Sequence, residues 1–134
     1  MINSLKNVKG INGKPICVMD DLKEKFPEKF NESGEVDSEW FESEIRPNFN
    51  FNIFLRHDVD SLTFNILTKP ANEGGDLNRC QAVDLIITGL EMFKYYNKVK
   101  PCGENAATIS LLEASLVWQE RRNQRKIEEI FDNN

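Results

Sequence analysis

Histidine occurs once in this 134-residue chain, at position 57, and cysteine three times, at 17, 80 and 102. Three cysteines, odd in number and unclustered, suggest neither a disulfide framework nor a zinc site of CxxC spacing, and the thiols are expected to be buried or idle. A Cys–His nucleophile pair would have a single histidine to draw on and no local signature around any cysteine, so covalent catalysis has little support. The chain has no P-loop, no GxGxxG and no G-x-S-x-G. No apolar run approaches the ~18 residues that a membrane span needs. The first ten residues, MINSLKNVKG, lack the apolar core of a signal peptide, and the protein is expected to stay in the cytosol where it is made. Internal repeats and low-complexity tracts are missing as well.

What is present is a core. Hydrophobic residues make up 40% of the chain and include nine Phe, two Trp and two Tyr, which argues against disorder and for one folding unit, or two small subdomains sharing one core. The net charge of -5 is unevenly spread. Residues 1–78 hold 9 Lys+Arg against 14 Asp+Glu, whereas residues 79–134 hold 8 of each. An acidic first part and a local basic cluster in a neutral second part do not resemble a general nucleic-acid binder, whose positive field should dominate a face. A small anionic ligand fits better.

The expected fold class is α+β. "GINGKPICVMDD" offers an Asn-Gly turn before a short apolar run, which suggests a hairpin. "DDLKEKFPEKF" and "DSEWFESEI" suit short helices whose acidic first turns match the positive end of the helix dipole. In "NFNFNIFLRHDVDSLTFNILTK" apolar residues recur with period two at Phe49, Phe51, Ile53 and Leu55, then at Leu62, Phe64 and Ile66. That pattern predicts two antiparallel strands around an Asp-rich turn, with one buried face. "PANEGGDLN" breaks the pattern and sets the expected boundary between a β-rich N-terminal subdomain, 1–76, with a small antiparallel sheet, and a C-terminal helical hairpin, 77–134. Its first helix is predicted over 78–98, with Val83, Ile86, Ile87, Leu90 and Phe93 on the apolar stripe. The second is predicted over 104–130, with Ile109, Leu112, Leu116, Ile127 and Ile130. The short connection makes the two helices antiparallel neighbours.

The second helix closes with four cations in six positions, Arg121, Arg122, Arg125 and Lys126. Leu111, Ser115, Trp118, Arg122 and Lys126 share a line, so Trp118 sits one turn below Arg122. Arg122 and Lys126 stand about 6 Å apart along the axis, a spacing suited to two linked phosphates, and a nearby aromatic ring offers a base something to stack on. The plain alternative is a solvated helix end whose cations are favoured by the dipole alone. Phe93, Tyr95 and Tyr96 at the end of the first helix carry the same ambiguity: three aromatics in four positions cannot all face the partner helix, so at least one is left for a ligand or partner. "HDVD", with His57, Asp58 and Asp60, reads as a hairpin turn rather than the start of a metal site.

"LNRCQAVDLIITGLEMF" followed by "PCGENAATISLLEASLVWQERRNQRK" resembles the helical hairpin shared by phage Thoeris anti-defence sponges and the related anti-CBASS sponges. The likeness covers residues 77–126. In that family the second helix opens Pro-Cys-Arg-Glu-Asn. Here Pro101, Cys102, Glu104, Asn105, Ile109, Leu112, Glu113, Leu116, Trp118 and Arg122 stand at the family's spacing without a gap. The β-rich N-terminal portion is similar to the Thoeris branch, whereas the shorter anti-CBASS proteins consist of helices only.

The resemblance implies a homo-oligomeric binding protein, a dimer at least and a hexamer at the upper end, and no enzyme. Its ligand would be glycocyclic ADP-ribose, sequestered intact in the host bacterial cytoplasm so that the Thoeris effector is not triggered, with cyclic di- or trinucleotides as an open addition. The resemblance also implies a pocket between subunits, built from an aromatic near the end of the first helix, the Asn that opens the second and two cations late in it: Tyr95 or Tyr96, Asn105, Arg122 and Lys126. No catalytic residue, metal, cofactor, membrane or nucleic-acid polymer is implied. Gly103 stands where the family has Arg, which bears on any second site for cyclic oligonucleotides. Lys126 stands where Arg is commoner and gives a point charge without a fork, so Arg125 or Arg121 are candidates to share its task. A site that holds a ligand without breaking it needs complementarity to the ground state and no positioned general base, in keeping with the absences above. The alternatives are a single-stranded nucleic-acid binding module using the same cations and aromatics, and a structural oligomer without ligand.

Overall fold

The computed structural model describes residues 2–75 and 79–132. The fold is α+β, with a three-stranded sheet, five α-helices and short 3-10 and π turns between them. The elements run α1 (Ile2–Leu5), β1 (Ile16–Val18), α2 (Met19–Lys25), α3 (Ser38–Trp40), β2 (Asn50–Arg56), β3 (Ser61–Phe64), α4 (Ala82–Val99) and α5 (Gly103–Asp132). The two short helices expected in the acidic part are α2, with Asp20 and Asp21 in its first turn, and α3. Asp37 caps α3 by accepting the Trp40 N–H, and α3 runs on into a π turn over Phe41–Ile45.

The hairpin read from the period-two pattern is β2 and β3, antiparallel, with Leu55 opposite Leu62 and Arg56 opposite Ser61. Its Asp-rich turn carries Asp60 at φ 48, a left-handed position that aspartate tolerates. Asp20 of α2 reaches this turn and accepts from the backbone N–H groups of both His57 and Asp58.

The sheet itself is mixed, not antiparallel. Residues 9–15 do turn back at the Asn-Gly pair, with Gly13 at φ 80 and Lys9 bridging Pro15. The Ile16 N–H carries that turn's ladder on to the Val8 carbonyl at 3.2 Å, and β1, which begins at Ile16, runs parallel to β2 as the sheet's other edge.

The second departure lies in β2. Ile16 pairs with Asn50 but Cys17 pairs with Phe54, so residues 51–53 bulge against β1. The bulge breaks the alternation, and β2 is covered on both faces. Leu5, Val8, Ile16, Ile53, Leu55 and Cys80 form one core, with Ile87 and Met92 of α4 packed against it. Cys17, Leu22, Phe41 and Ile45 form another, flanked by Phe30, Phe49, Phe51 and Phe54. Asn50 and Asn52, which simple alternation would place in solvent, are 3% and 6% exposed.

The expected subdomain boundary at 76/77 lies at residues outside those described, and the helix expected from 78 begins only at Ala82, residues 79–81 being non-helical. On either side the chain is tied together: Leu67 N–H donates to the Cys80 carbonyl at 2.8 Å, and Cys80 N–H to the Asn65 carbonyl at 2.5 Å. Gln81 opens α4 in a reciprocal capping box with Asp84. Asp84, 4% exposed, accepts from the Gln81 N–H and, across the fold, from the Ile11 N–H, each at 3.0 Å. Asp84→Ala strands two donors, one of them the tie between the 9–15 turn and α4. With each unmade buried bond costing about 1–3 kcal/mol, a loss of roughly 2–6 kcal/mol in denaturant unfolding is expected. Asp84→Asn, which keeps one acceptor, should fall between the two.

On α4, Val83 and Leu90 are buried and Ile86, Ile87 and Phe93 half-buried, as their spacing predicts. On α5, Ile109, Leu112 and Leu116 are half-buried, but Ile127 and Ile130, expected on the same stripe, are exposed. The reason is length. With 18 residues α4 runs about 27 Å, and with 30 residues α5 runs about 45 Å, so the last turns of α5 extend past the start of α4.

Candidate functional site

Pro101 cannot continue α4, and the connection to α5 is only residues 100–102. The side chain of Asn97 accepts the Cys102 N–H at 3.0 Å, and the Cys102 sulfur accepts the Asn105 N–H at 3.4 Å, so both sides of the turn are tied down. Around it lies a cavity of about 380 Å³ lined by Tyr95, Tyr96, Val99, Lys100, Cys102 and Asn105. Tyr96 meets both Tyr95 and Phe93 edge-on, with ring centroids 6.2 and 6.4 Å apart, which fixes the aromatic wall. Tyr96 is 40% exposed while Phe93 and Tyr95 are half-buried, so the aromatic left over from helix packing is Tyr96. The first turn of α5 brings the positive end of a long helix dipole to the cavity, and Lys100 adds a charge.

Tyr95, Tyr96 and Asn105 thus share one cavity, while Arg122 and Lys126 stand apart from it. They lie 17 and 21 residues beyond Asn105 on the same helix, about 25 and 32 Å along the axis. Trp118, at 66% exposure, is partnered by Arg121, whose guanidinium lies 5.2 Å from the ring centroid. The line read from the sequence had paired it with Arg122. Spacings of three and four residues both return to one helix face, and here the three-residue step prevails. Arg125 and Lys126 share Glu129, at 3.8 and 4.0 Å. Among the described residues no carboxylate pairs with Arg122. Sequence reasoning passed over Val99, Lys100 and Cys102 as lining residues; the signal was present in "KVKPCG", where the turn after an aromatic helix end must pass beside those rings.

The remaining candidates resolve into structural roles. His57, Asp58 and Asp60 form the β2–β3 turn, His57 Nδ1 lies 3.7 Å from Asp20, and the Arg56 guanidinium, 3.1 Å from Asp58, holds that carboxyl below its ordinary value. Among the described residues no group of three or more His, Cys, Asp or Glu is placed to hold a metal ion. No helix among them is long and apolar enough to cross a membrane.

Cys17 and Cys80 are fully buried and Cys102 is exposed. Burial pushes the Cys17 thiol up to about 12; burial, with the charge of Asp84, pushes that of Cys80 to about 11. Thiolate is the reactive form, so a disulfide reagent at neutral pH should titrate one thiol in the folded protein and all three in denaturant. Fast reaction of more than one native thiol would contradict the burial of the other two.

No family model, no curated protein and no solved structure matches the chain.

Proposed function

We propose that the chain binds a cyclic signalling nucleotide, glycocyclic ADP-ribose, and holds it intact, so that the Thoeris effector of a bacterial host is not activated. In this reading it is a phage anti-defence protein working as a homo-oligomer in the host cytoplasm. The observation that carries the proposal is the split site. An aromatic cavity with Tyr95, Tyr96 and Asn105 forms at one end of α5, and Arg122, which pairs with no carboxylate among the described residues, stands about 25 Å away at the other. A base or ribose suits the first; a pyrophosphate needs the second. One copy cannot bring the two together, but two copies with antiparallel α5 helices would place each one's cations at the other's cavity. Leu111 and Trp118, 69% and 66% exposed on the intervening stretch, are the apolar surface such a pair would cover.

The test is a calorimetric titration with cyclic ADP-ribose isomers and with cyclic di- and trinucleotides, followed by heating and chromatography of what is released. Saturable binding of glycocyclic ADP-ribose and its recovery unchanged are expected. Recovery of linear ADP-ribose would replace the sponge with a hydrolase. The exposed Leu111 and Trp118 also favour a second reading, a structural oligomer; stable assembly with no saturable ligand across the panel would select it.

A further inference from the structure

The core that contains Cys17, Leu22, Phe41 and Ile45 is open along one side. Met19, Phe30, Val36 and Phe54 pack against it but are only half-buried, and together with Phe41 they line a cavity of about 470 Å³. None of the lining residues belongs to α4 or α5. These five apolar side chains come from separate places in the chain: the start of α2, the 30–36 turn, the π turn and β2.

The walls are built rather than incidental. Phe30 and Val36 bridge as an antiparallel pair, and Gly34 between them takes the left-handed position at φ 83. Asn31 closes that turn three times: its N–H donates to the Glu35 carbonyl at 2.9 Å, its carbonyl accepts the Gly34 N–H at 3.0 Å and its Oδ1 accepts the Glu35 N–H at 2.9 Å. The tip of the turn, Ser33 and Gly34, reaches the cavity. A second wall is the sheet, where Phe54 stands opposite Thr63 and the Phe54 ring centroid lies 6.3 Å from that of Phe41. Among the described residues no cation lies over the Phe30, Phe41 or Phe54 ring, so the half-buried rings of Phe30 and Phe54 leave apolar surface to a ligand.

The charged lining is unequal in sign. Lys23 and Arg56 stand against Asp20 alone, one positive charge in excess. Asp20 is committed to the β2–β3 turn, where it accepts the N–H groups of His57 and Asp58. Arg56 gives one donor to Asp58 at 3.1 Å, and a guanidinium has five. Lys23, exposed on α2, has no ion-pair partner among the described residues.

We propose that this cavity binds a small amphipathic monocarboxylate, its apolar body against Phe30, Phe41 and Phe54 and its carboxylate at the rim with Lys23 and Arg56. An apolar interior with a few convergent polar groups is the usual make-up of a small-molecule site, and about 470 Å³ lies within the usual ~300–1,000 Å³. The excess positive charge disfavours a cationic head, and the apolar floor gives a fully polar anion nothing to bury. The site stands independently of the helical pair and of any ligand bound there.

Titration of the full chain with octanoate is compared with octylammonium, which has the same body and the opposite head, with hexanoate, and with 1-octanol, which has the body without the charge. Octanoate should saturate the protein at millimolar concentration or below and bind at least about ten-fold more tightly than octylammonium. Hexanoate, two CH₂ groups shorter, should bind about ten-fold more weakly than octanoate. Lys23→Glu should weaken octanoate by about five-fold or more, tighten octylammonium and leave 1-octanol unchanged, a reversal of preference that loss of folding does not produce. Arg122→Ala should change none of these affinities, which separates this site from the helical one. Failure of octanoate to saturate the protein at millimolar concentration overturns the proposal. So does octylammonium binding as tightly as octanoate, or octanoate binding that Lys23→Glu leaves intact.

Discussion

Arg122→Ala is expected to weaken the binding of glycocyclic ADP-ribose by more than about 30-fold, because truncating a charge-assisted contact in a desolvated pocket costs about 2–5 kcal/mol. Arg46→Ala, in the acidic first part, should change it by less than about two-fold, within the usual small effect of a substitution away from a site. The contrast follows from how each cation is occupied. Arg46 is engaged with Glu42 and Phe51, whereas Arg122 pairs with no carboxylate among the described residues. Arginine's planar fork matches a pyrophosphate, and Arg122 gives up only its hydration, with no ion pair to a described residue to break, when the ligand arrives. Lys126 must be drawn from Glu129, 4.0 Å away, so Lys126→Ala should cost less than Arg122→Ala. Titration calorimetry on variants shown to be folded by their melting curves checks the order. If a folded Arg122→Ala binds like the parent, the cluster is a solvated helix end favoured by the dipole.

The helical pair was legible because its signal is long and local. Val83, Ile86, Ile87, Leu90 and Phe93 repeat at helical spacing, and "KVKPCG" is too short and too rich in breakers to be anything but a turn. The β2–β3 hairpin was legible for the same reason, two alternating runs beside each other in sequence. The parallel pairing of β1 was not, since three residues pair with a strand more than 30 positions away and nothing local encodes that direction. The burial of Asn50 and Asn52 was hidden by the rule that made the strand visible: alternation assigns them to solvent, and a bulge set by tertiary packing reverses the assignment. Ile127 and Ile130 kept helical period but lost their partner to the unequal lengths of α4 and α5, a relation between elements rather than a property of either. As for the candidate site, the sequence pointed to the aromatics and Asn105 at one helix junction and to the cations at the far end of α5. The distance between them is fixed by α5 being one unbroken helix over both.

That distance carries the last prediction. The parent protein should sediment as a dimer or larger at micromolar concentration, and the double variant Leu111→Glu, Trp118→Glu should sediment as a monomer of 15.5 kDa that keeps its helical circular dichroism. Both side chains are largely exposed in the single chain, so charging them leaves the α4–α5 packing alone while placing four carboxylates in an interface related by two-fold symmetry. Loss of assembly should abolish nucleotide binding, but that result alone would not distinguish a shared site from a destabilised one. Mixing two inactive chains does. Asn105→Ala removes a group at the cavity and Arg122→Ala one at the cation end; if each site takes its cavity from one copy and its cations from the other, a mixed dimer has one site with both groups intact and one with neither. Random exchange of equal amounts in two-fold dimers should then restore about a quarter of the parent's sites, at parental affinity. A site built within one chain restores none, because each chain still lacks its own essential group, and that outcome would sink the shared pocket even if the protein proved to be a dimer.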